Sequence, residues 1–584
     1  MEYSVVAEYC GRLEAISGRN EMIRVLSQLL LETPREELSR LVYVLQGKLR
    51  PDFEGVELGL AEKMALRALS KISGLAREKV QEVYLKAGDI GTAAEELLRF
   101  KSQGVLFREK LTLARVYDTL WRISKQSGEG SVDIRIKELV SLLNDSSPQE
   151  ARFIMRTVTG ALRLGVADYT VLDACALAFL GGKEKRQEAE RAYNVHPDLG
   201  FVVEGAALRG LKGVKSVKVN VGIPIRPMLA ERLGSVEAIV SKMNAKTLIA
   251  EYKLDGERLQ IHKQGNRVGL FSRRLEVVTT HYPDATELVA KNISAEDAIL
   301  EAEVVAINED TGEYLPFQEL MHRRRKHGVS QAMKEFPIAL NFFELLLANA
   351  KDFTSEPYHV RRAKMEEVVI HTEKTRLVPS IRTGNPKEIE SFMEEAIQNG
   401  CEGLVIKDPS SVYRAGAREF AWIKLKREYR SELIDTIDLP IVGAYYGRGR
   451  RAGTYGAFLL AAYDDERGVF SSIAKIGTGF TDENLKMLQK RLNEHKSSVK
   501  PYSVESKMAP DVWIKPSVVL ETIAAELTLS PIHTAALGKI RSGAGISMRF
   551  PKFTGRIRED KKAENSTTVD EIVEMYQKQI KRIK

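Results

Sequence analysis

Apolar positions recur every three or four residues through the first third of the chain and close to every second residue beyond it. The first rhythm is helical. In "TPREELSRLVYVLQG" (33–47), Leu38, Leu41, Val42 and Leu45 form one stripe. Thr33 with Glu36 fits a capping box, Pro34 suits the first turn, and Gly47 ends the helix. "SPQEARFIMRTVTGALRLGVADYTVLDACALAFLGG" (147–182) continues the texture, broken by Gly160 and Gly165 beside Arg156 and Arg163. A bundle explains the leucines. It does not explain arginines next to glycines, which let backbone come close to a partner. Residues 1–212 are read as an all-α domain.

From 213 to 430 the period shortens. "TLIAEYKL", "LQIHKQGNRVGLF", "AILEAEVVAIN" and "CEGLVIKD" read as strands, with "PKEIESFMEEAIQNG" (386–400) an intervening helix. This is an α+β domain rich in antiparallel sheet. One hairpin should turn at Gln264–Asn266, and "EYKLDGER" (251–258) reads as the mouth of another, with Asp255-Gly256 as its turn dipeptide. From 431 to 584, glycine-punctuated strands such as "LPIVGAYYGRGRRAGTYGAFLLAAYDD" predict a small β-barrel, followed by a helix whose capping box is Thr568 and Glu571.

Composition narrows the class. A chain of 584 residues holds three or four domains at roughly 150 residues each. Its 43% hydrophobic and 29% charged residues suit a soluble globular protein. No apolar run approaches the ~18 residues of a membrane span, and the N-terminus has no signal-peptide pattern, so a cytoplasmic protein is expected. Cys10, Cys175 and Cys401 stand far apart, which excludes a disulfide framework and a four-cysteine zinc site. The net charge is only +8, but basic clusters at 322–327, 424–430, 448–451 and 581–584 crowd into the later part of the chain. They point to a polyanionic partner.

Candidate chemistry concentrates at "EYKLDGER", where Lys253, Asp255, Glu257 and Arg258 fall within six residues. Charges gather at turns, and K-x-D-G alone is a weak signal. In order, however, there follow "SRR" (272–274), "LEAEVVA" (300–306), "NFFELL" (341–346), "EGLVIK" (402–407), "WIKLK" (422–426), "KIGTGF" (475–480) and "RIREDK" (556–561). Alternation puts Glu301 and Glu303 on one strand face and Lys424 and Lys426 on another, and it turns Phe342 and Phe343 opposite ways. A free lysine has a pKa near ~10.4, so about one in 2,500 is neutral at pH 7, and neighbouring cations would help any reaction of Lys253 as a nucleophile.

The ordered series resembles the covalent nucleotidyltransferases, and "IPIRPMLA" (223–230), "RTVTGALRLGVAD" and "AELTLSPIHTAA" (525–536) resemble replicative ATP-dependent DNA ligases of archaea and eukaryotes. The resemblance spans nearly the whole chain. It implies a DNA-binding domain (1–212), a nucleotidyltransferase domain (213–430) and an OB-fold domain (431–584). It implies Lys253 as the nucleophile that takes AMP from ATP, with Glu251 at the adenine amine and Phe343 stacked on the base. Arg258, Arg273, Arg418, Lys424 and Lys426 would bind phosphate or ribose. Glu303 and Glu402 would stand at Mg²⁺, with Mn²⁺ as the alternative, and Glu303 also near the ribose. Arg556, Arg558, Asp560 and Lys561 resemble the motif that closes over pyrophosphate. Glu344 departs from the family, which commonly has aspartate there.

The implied partner is nicked double-stranded DNA, bound by a monomer, with Arg156, Gly160, Arg163 and Gly165 on the DNA side. Gln103, Leu106 and Phe107 partly match a sliding-clamp docking motif. Other classes fit less well. No G-x-x-x-x-G-K-[ST] occurs, so a Walker-type ATPase is unsupported. The zinc element of NAD-dependent ligases cannot be built from three scattered cysteines. Capping enzymes and RNA ligases lack the helical domain, and a silent DNA-binding scaffold would not fill every reactive position.

Overall fold

A computed structural model of the chain describes residues 1–101, 109–160, 162–307, 314, 317–321, 323, 329–399, 401–426, 436–447, 453–524, 526–530, 532–549 and 551–581. Gln103, Leu106 and Phe107 lie outside the described residues, as do 324–327, 427–430, 448–451 and 582–584 of the basic clusters. The chain divides into two compact units: residues 1–77 with 94–427, and residues 78–93 with 428–584. No helix among the described residues is long and apolar enough to cross a membrane.

The first unit begins with helices, among them Tyr3–Ala15, Arg19–Glu32, Leu38–Leu45, Pro148–Val158, Asp168–Phe179 and Leu199–Lys215. Their apolar stripes are buried at Leu13, Leu26, Leu41, Ile154, Leu172 and Val203. Thr33 does not cap the helix after it, contrary to the sequence pattern. Its hydroxyl donates to Leu29 O at 2.6 Å and closes Arg19–Glu32, whose last carbonyls need donors. Ser147 does form the box with Glu150. There the preceding carbonyl, Leu143 O, is already served by the Ser146 hydroxyl at 2.8 Å.

Among the described residues, eleven strands follow: β1 (Leu229–Arg232), β2 (Leu248–Lys253), β3 (Glu257–Gln264), β4 (Arg267–Ser272), β5 (Asp297–Ala306), β6 (Ile338–Ala348), β7 (Lys351–Asp352), β8 (Thr375–Leu377), β9 (Ser380–Thr383), β10 (Gly403–Lys407) and β11 (Arg418–Lys426). One sheet has the order β1-β11-β10-β2-β9. The other runs β4-β3-β5-β6-β7, with β8 beside β6.

The hairpin expected at 251–258 does not exist. β3 and β4 do form the hairpin around Gly265. β2, however, ends at Lys253 between β10 and β9 in the other sheet. The Lys253–Glu257 segment therefore crosses from sheet to sheet. Gly256 makes the crossing passable: a Cβ there would stand 2.3 Å from Val304 O and 2.9 Å from Glu303 Cγ.

Alternation sorts the first sheet into two faces. Leu248, Ala250, Tyr252, Leu404, Ile406, Ile423 and Leu425 pack into one core with the helices Val236–Met243 and Pro386–Gln398. Across the strands, Lys253 opposes Gly403, which opposes Lys426, and Glu251 opposes Val405, which opposes Lys424. These residues share the other face. The second sheet buries Leu259, Ile261, Leu300, Ala302, Leu340 and Phe342.

The second unit is built on β12 (Ile437–Tyr446), β13 (Tyr455–Asp464), β14 (Val469–Ile476), β15 (Lys496–Ser497), β16 (Val504–Glu505), β17 (Val512–Ile514), β18 (Val519–Ile523), β19 (Glu526–Ser530), β20 (Gly545–Arg549) and β21 (Lys552–Ile557). β12 pairs through Ile437–Pro440 with β18 and through its later residues with β13 and β17. Switching partners along one strand bends the sheet around a single core that includes Leu439, Phe458, Ile473, Ile514 and Leu520. The result is a partly open barrel of OB type. Gly479 (φ +88°) packs where a Cβ would meet Phe553 O at 2.3 Å. The helix Val569–Lys581 starts at the capping box of Thr568 and Glu571, with amide contacts of 2.8 and 3.2 Å, and buries Ile572 in the same core.

Candidate active site

The two sheets of the first unit enclose a cleft of about 190 Å³. One sheet contributes Glu251, Lys253, Val405, Lys407, Trp422 and Lys424. The other contributes Arg258, Arg273, Glu303 and Phe343, while Ala230, Val378 and Arg418 complete the wall. Lys253 stands at the end of β2, with its ammonium 2.5 Å from Glu402 Oε2. Lys426 reaches the same oxygen at 2.8 Å. Burial pushes the Glu402 carboxyl up, but the Lys253 charge, then Lys426, outweighs it and holds the group down at about 2. Lys424 is pulled below its ordinary value, first by burial and then by Lys426, Arg418, Lys253 and Arg273. The cleft is thus a concentrated cationic field with one carboxylate bridging two of its lysines.

Glu303, half-buried beside this field, behaves oppositely. Burial raises its carboxyl to about 7, more than Lys253 and Arg258 lower it. No ion pair or hydrogen bond reaches that carboxylate among the described residues. Arg258 instead pairs with buried Glu301 at 2.7 Å and donates to Met228 O at 2.9 Å. Its guanidinium lies 5.2 Å from the centre of the Phe343 ring. Phe343 itself is the odd residue of a β-bulge: Ala302 opposes Phe342 and Glu301 opposes Glu344, so Phe343 has no opposite number. The bulge leaves Phe342 in the core and Phe343 at the cleft. Glu344 is wholly buried and makes a two-pronged pair with Arg361 at 2.7 and 2.8 Å.

Glu251 is 1% exposed yet lines the cleft. Arg362 Nη1 lies 2.5 Å from its Oε1, the Tyr358 hydroxyl donates to the same oxygen, and Lys407 Nζ lies 2.7 Å from Oε2.

Three family models cover the chain: "DNA ligase N terminus" over residues 2–176, "ATP dependent DNA ligase domain" over 227–426, and "ATP dependent DNA ligase C terminal region" over 451–561. "DNA ligase 2" of Thermofilum pendens is 49% identical over 591 aligned positions, covering 100% of this chain and 98% of that protein. "DNA ligase" of Nitrosopumilus maritimus is 49% identical over 581, covering 100% and 99%. The chain belongs to the ATP-dependent DNA ligases. A solved structure, Pmar-Lig_Pre., shares the fold of this ligase at a TM-score of 0.56 and 16% identity, covering 95% of this chain and 99% of that one.

Not every residue expected at the surface of a DNA ligase is there. Arg156 is 3% exposed, pairs with Glu14 at 3.1 Å and donates to Leu162 O at 3.4 Å. Its guanidinium is committed to partners inside the bundle. Arg163 is exposed and has a left-handed backbone (φ +55°), between Gly160 (φ +66°) and Gly165 (φ +69°). Within the second unit, Asp438 holds Arg558 at 2.6 Å and Lys561 at 2.7 Å, Asp560 also pairs with Arg558, and Arg556 lies 3.4 Å from Glu521.

Some cleft residues had a signal in the sequence. Trp422 is two positions before Lys424 on the same alternating strand, and Lys407 is two after Val405. Tyr358, Arg361 and Arg362 had none, because a single turn of the helix Tyr358–Val368 brings them beneath strands distant in sequence.

Proposed function

We propose that this chain seals nicks in duplex DNA at the expense of ATP, through Lys253. The observation that carries the reading is Lys253 at the end of a strand, inside a cleft that combines an aromatic face, an acidic edge and five further cations. Phe343 offers the flat surface for adenine and Glu251 an acceptor for its amine. The Lys253 nitrogen, after losing a proton, bonds to the α-phosphorus, and the bond to the pyrophosphate oxygen breaks. AMP then passes from lysine to the 5′-phosphate at the nick, forming a second pyrophosphate linkage. The 3′-hydroxyl oxygen attacks that 5′ phosphorus, its proton is lost, and AMP leaves.

The chain's own part is positioning and charge. Arg258, Arg273, Arg418, Lys424 and Lys426 supply cations for the phosphates and ribose. The resemblance assigns Arg556, Arg558, Asp560 and Lys561 to the pyrophosphate. A divalent ion fits the donor set: Glu303 is a carboxylate with no partner among the described residues, and Glu402 lies across from it at Lys253. Magnesium prefers such oxygens together with substrate phosphates, and when bound it neutralises developing phosphate charge. No cluster of three or more metal-ligating side chains occurs among the described residues, which suits an ion that takes most of its ligands from ATP and water. In this reading the enzyme acts as a monomer in the cytoplasm, and Gly160, Arg163 and Gly165 meet the DNA backbone.

Incubation with α-labelled ATP and Mg²⁺ should leave label on the wild-type protein and none on Lys253→Ala; equal labelling of the two would remove the assignment. Docking on a sliding clamp through Gln103, Leu106 and Phe107 is part of the same reading. Phe107→Ala should lose clamp stimulation of ligation while keeping unstimulated sealing, and unchanged stimulation would refute the docking segment.

A further inference from the structure

We infer that Tyr358, Arg362 and Lys407 are positioning residues that make Glu251 a selective reader of the 6-amino group, so that the enzyme rejects 6-oxopurine nucleotides such as ITP and GTP. The inference rests on the nucleotide reading of the cleft given above.

It follows from counting hydrogen-bond sites. A carboxylate accepts at about four lone-pair positions and donates at none. On Glu251, Oε1 receives both the Tyr358 hydroxyl and Arg362 Nη1, and Oε2 receives Lys407 Nζ. One acceptor position remains, on the oxygen that lysine alone holds. Lys407 cannot compete for the base, since its three protons go to Glu251, to Phe343 O at 2.9 Å and to the Tyr358 hydroxyl at 3.0 Å. Its ammonium also sits 4.3 Å from the centre of the Trp422 ring. Arg362 is tied as well, with Nη2 donating to Val378 O at 3.1 Å. The edge presented to a base is therefore one fixed acceptor with no donor alongside.

A 6-amino group supplies the matching proton. A 6-oxo group presents a lone pair to a lone pair and leaves the last acceptor position of a buried carboxylate unmatched. Sites built around such a bond discriminate far better than apolar pockets do. Freed from Tyr358 or Arg362, the Glu251 side chain gains rotamers and spare acceptor positions, and the discrimination should fall.

The test is single-turnover adenylation with α-labelled ATP and ITP, comparing kcat/KM for each. Tyr358→Phe and Arg362→Met should each lower the ATP-over-ITP ratio by roughly 10- to 100-fold, the range for losing a bond to a charged group. The loss should fall on KM for ATP more than on kcat. A merely structural role would depress both nucleotides in parallel and leave the ratio alone. Glu251→Gln separates the two levels of inference. If it collapses the ratio while Tyr358→Phe and Arg362→Met leave it intact, positioning is refuted and the pocket reading stands. If Glu251→Gln itself leaves the ratio intact, the pocket reading fails. Should Tyr358→Phe not fold, Arg362→Lys carries the test: keeping the charge but losing the fork, it should give a smaller fall than Arg362→Met, and no fall in either variant overturns the proposal.

Discussion

Glu303 and Glu402 flank one lysine and are driven apart by their surroundings, to about 7 and about 2 respectively. Burial acts on both, but Glu402 has two ammonium partners and Glu303 has none among the described residues. The difference has a stability consequence. The Glu303 carboxyl titrates above its unfolded value of 4.5. Between about 4.5 and 7 the native state then binds more protons than the unfolded chain, and stability falls as pH rises through that window. Glu303→Gln removes the cost. It should stabilise the protein on the order of 1–3 kcal/mol at pH 8 and not at pH 4, the upper figure being the whole shift converted and the lower allowing for solvent screening. Thermal melting at both values checks this, and an equal shift at the two would count against a buried, charge-disfavoured carboxyl. Glu344 illustrates a different residue-scale lesson. Its fully buried pairing with Arg361 ties β6 to the helix below, and the longer side chain in place of the family's common aspartate is used for that span.

Two elements shape the cleft more than any single side chain. The Lys253–Glu257 crossover carries Lys253 on one sheet and Arg258 on the other, so the two line different walls of the cleft. The bulge at Phe343 turns an aromatic ring out of a strand whose regular positions belong to the core. Gly256→Ala should force Val304 O away from a Cβ that would otherwise stand 2.3 Å from it. Because a 1 Å misplacement can cost about 100-fold in rate, adenylation should fall by that order while overpacking costs only about 1–3 kcal/mol of stability. Single-turnover labelling beside a denaturant melt measures both; a variant that labels at the wild-type rate would show that the crossing tolerates a side chain. The sequence revealed the strands and the turn dipeptide here but assigned a hairpin, since Asp-Gly marks a reversal and says nothing about which sheet receives the next strand.

For the whole molecule, binding to duplex should be governed by phosphate neutralisation and hence by salt. Arg163 and Arg156 make a controlled comparison, one exposed on a left-handed turn and one buried in the bundle. Arg163→Gly suits that backbone, so the fold should hold while the slope of log K against log salt drops by about 1 in magnitude. Arg156→Ala should leave the slope unchanged and destabilise by about 1–3 kcal/mol through the lost buried pair. Nicked-duplex titrations at several salt concentrations, with a melt of each variant, distinguish them; reversed behaviour would exchange their roles.

Helical stripes, strand alternation and the ordered motifs are local properties, and the chain alone determined them. That is why the common face of Lys424 and Lys426 and the capping box at Thr568 were readable before any fold. Tertiary structure alone decided which sheet follows Lys253, why Phe343 leaves the core, that Arg156 is spent on Glu14, and that Tyr358, Arg362 and Lys407 surround Glu251. Each of these depends on segments far apart in sequence meeting in space, where burial and charge set the energy of a group by its neighbours rather than by its own type.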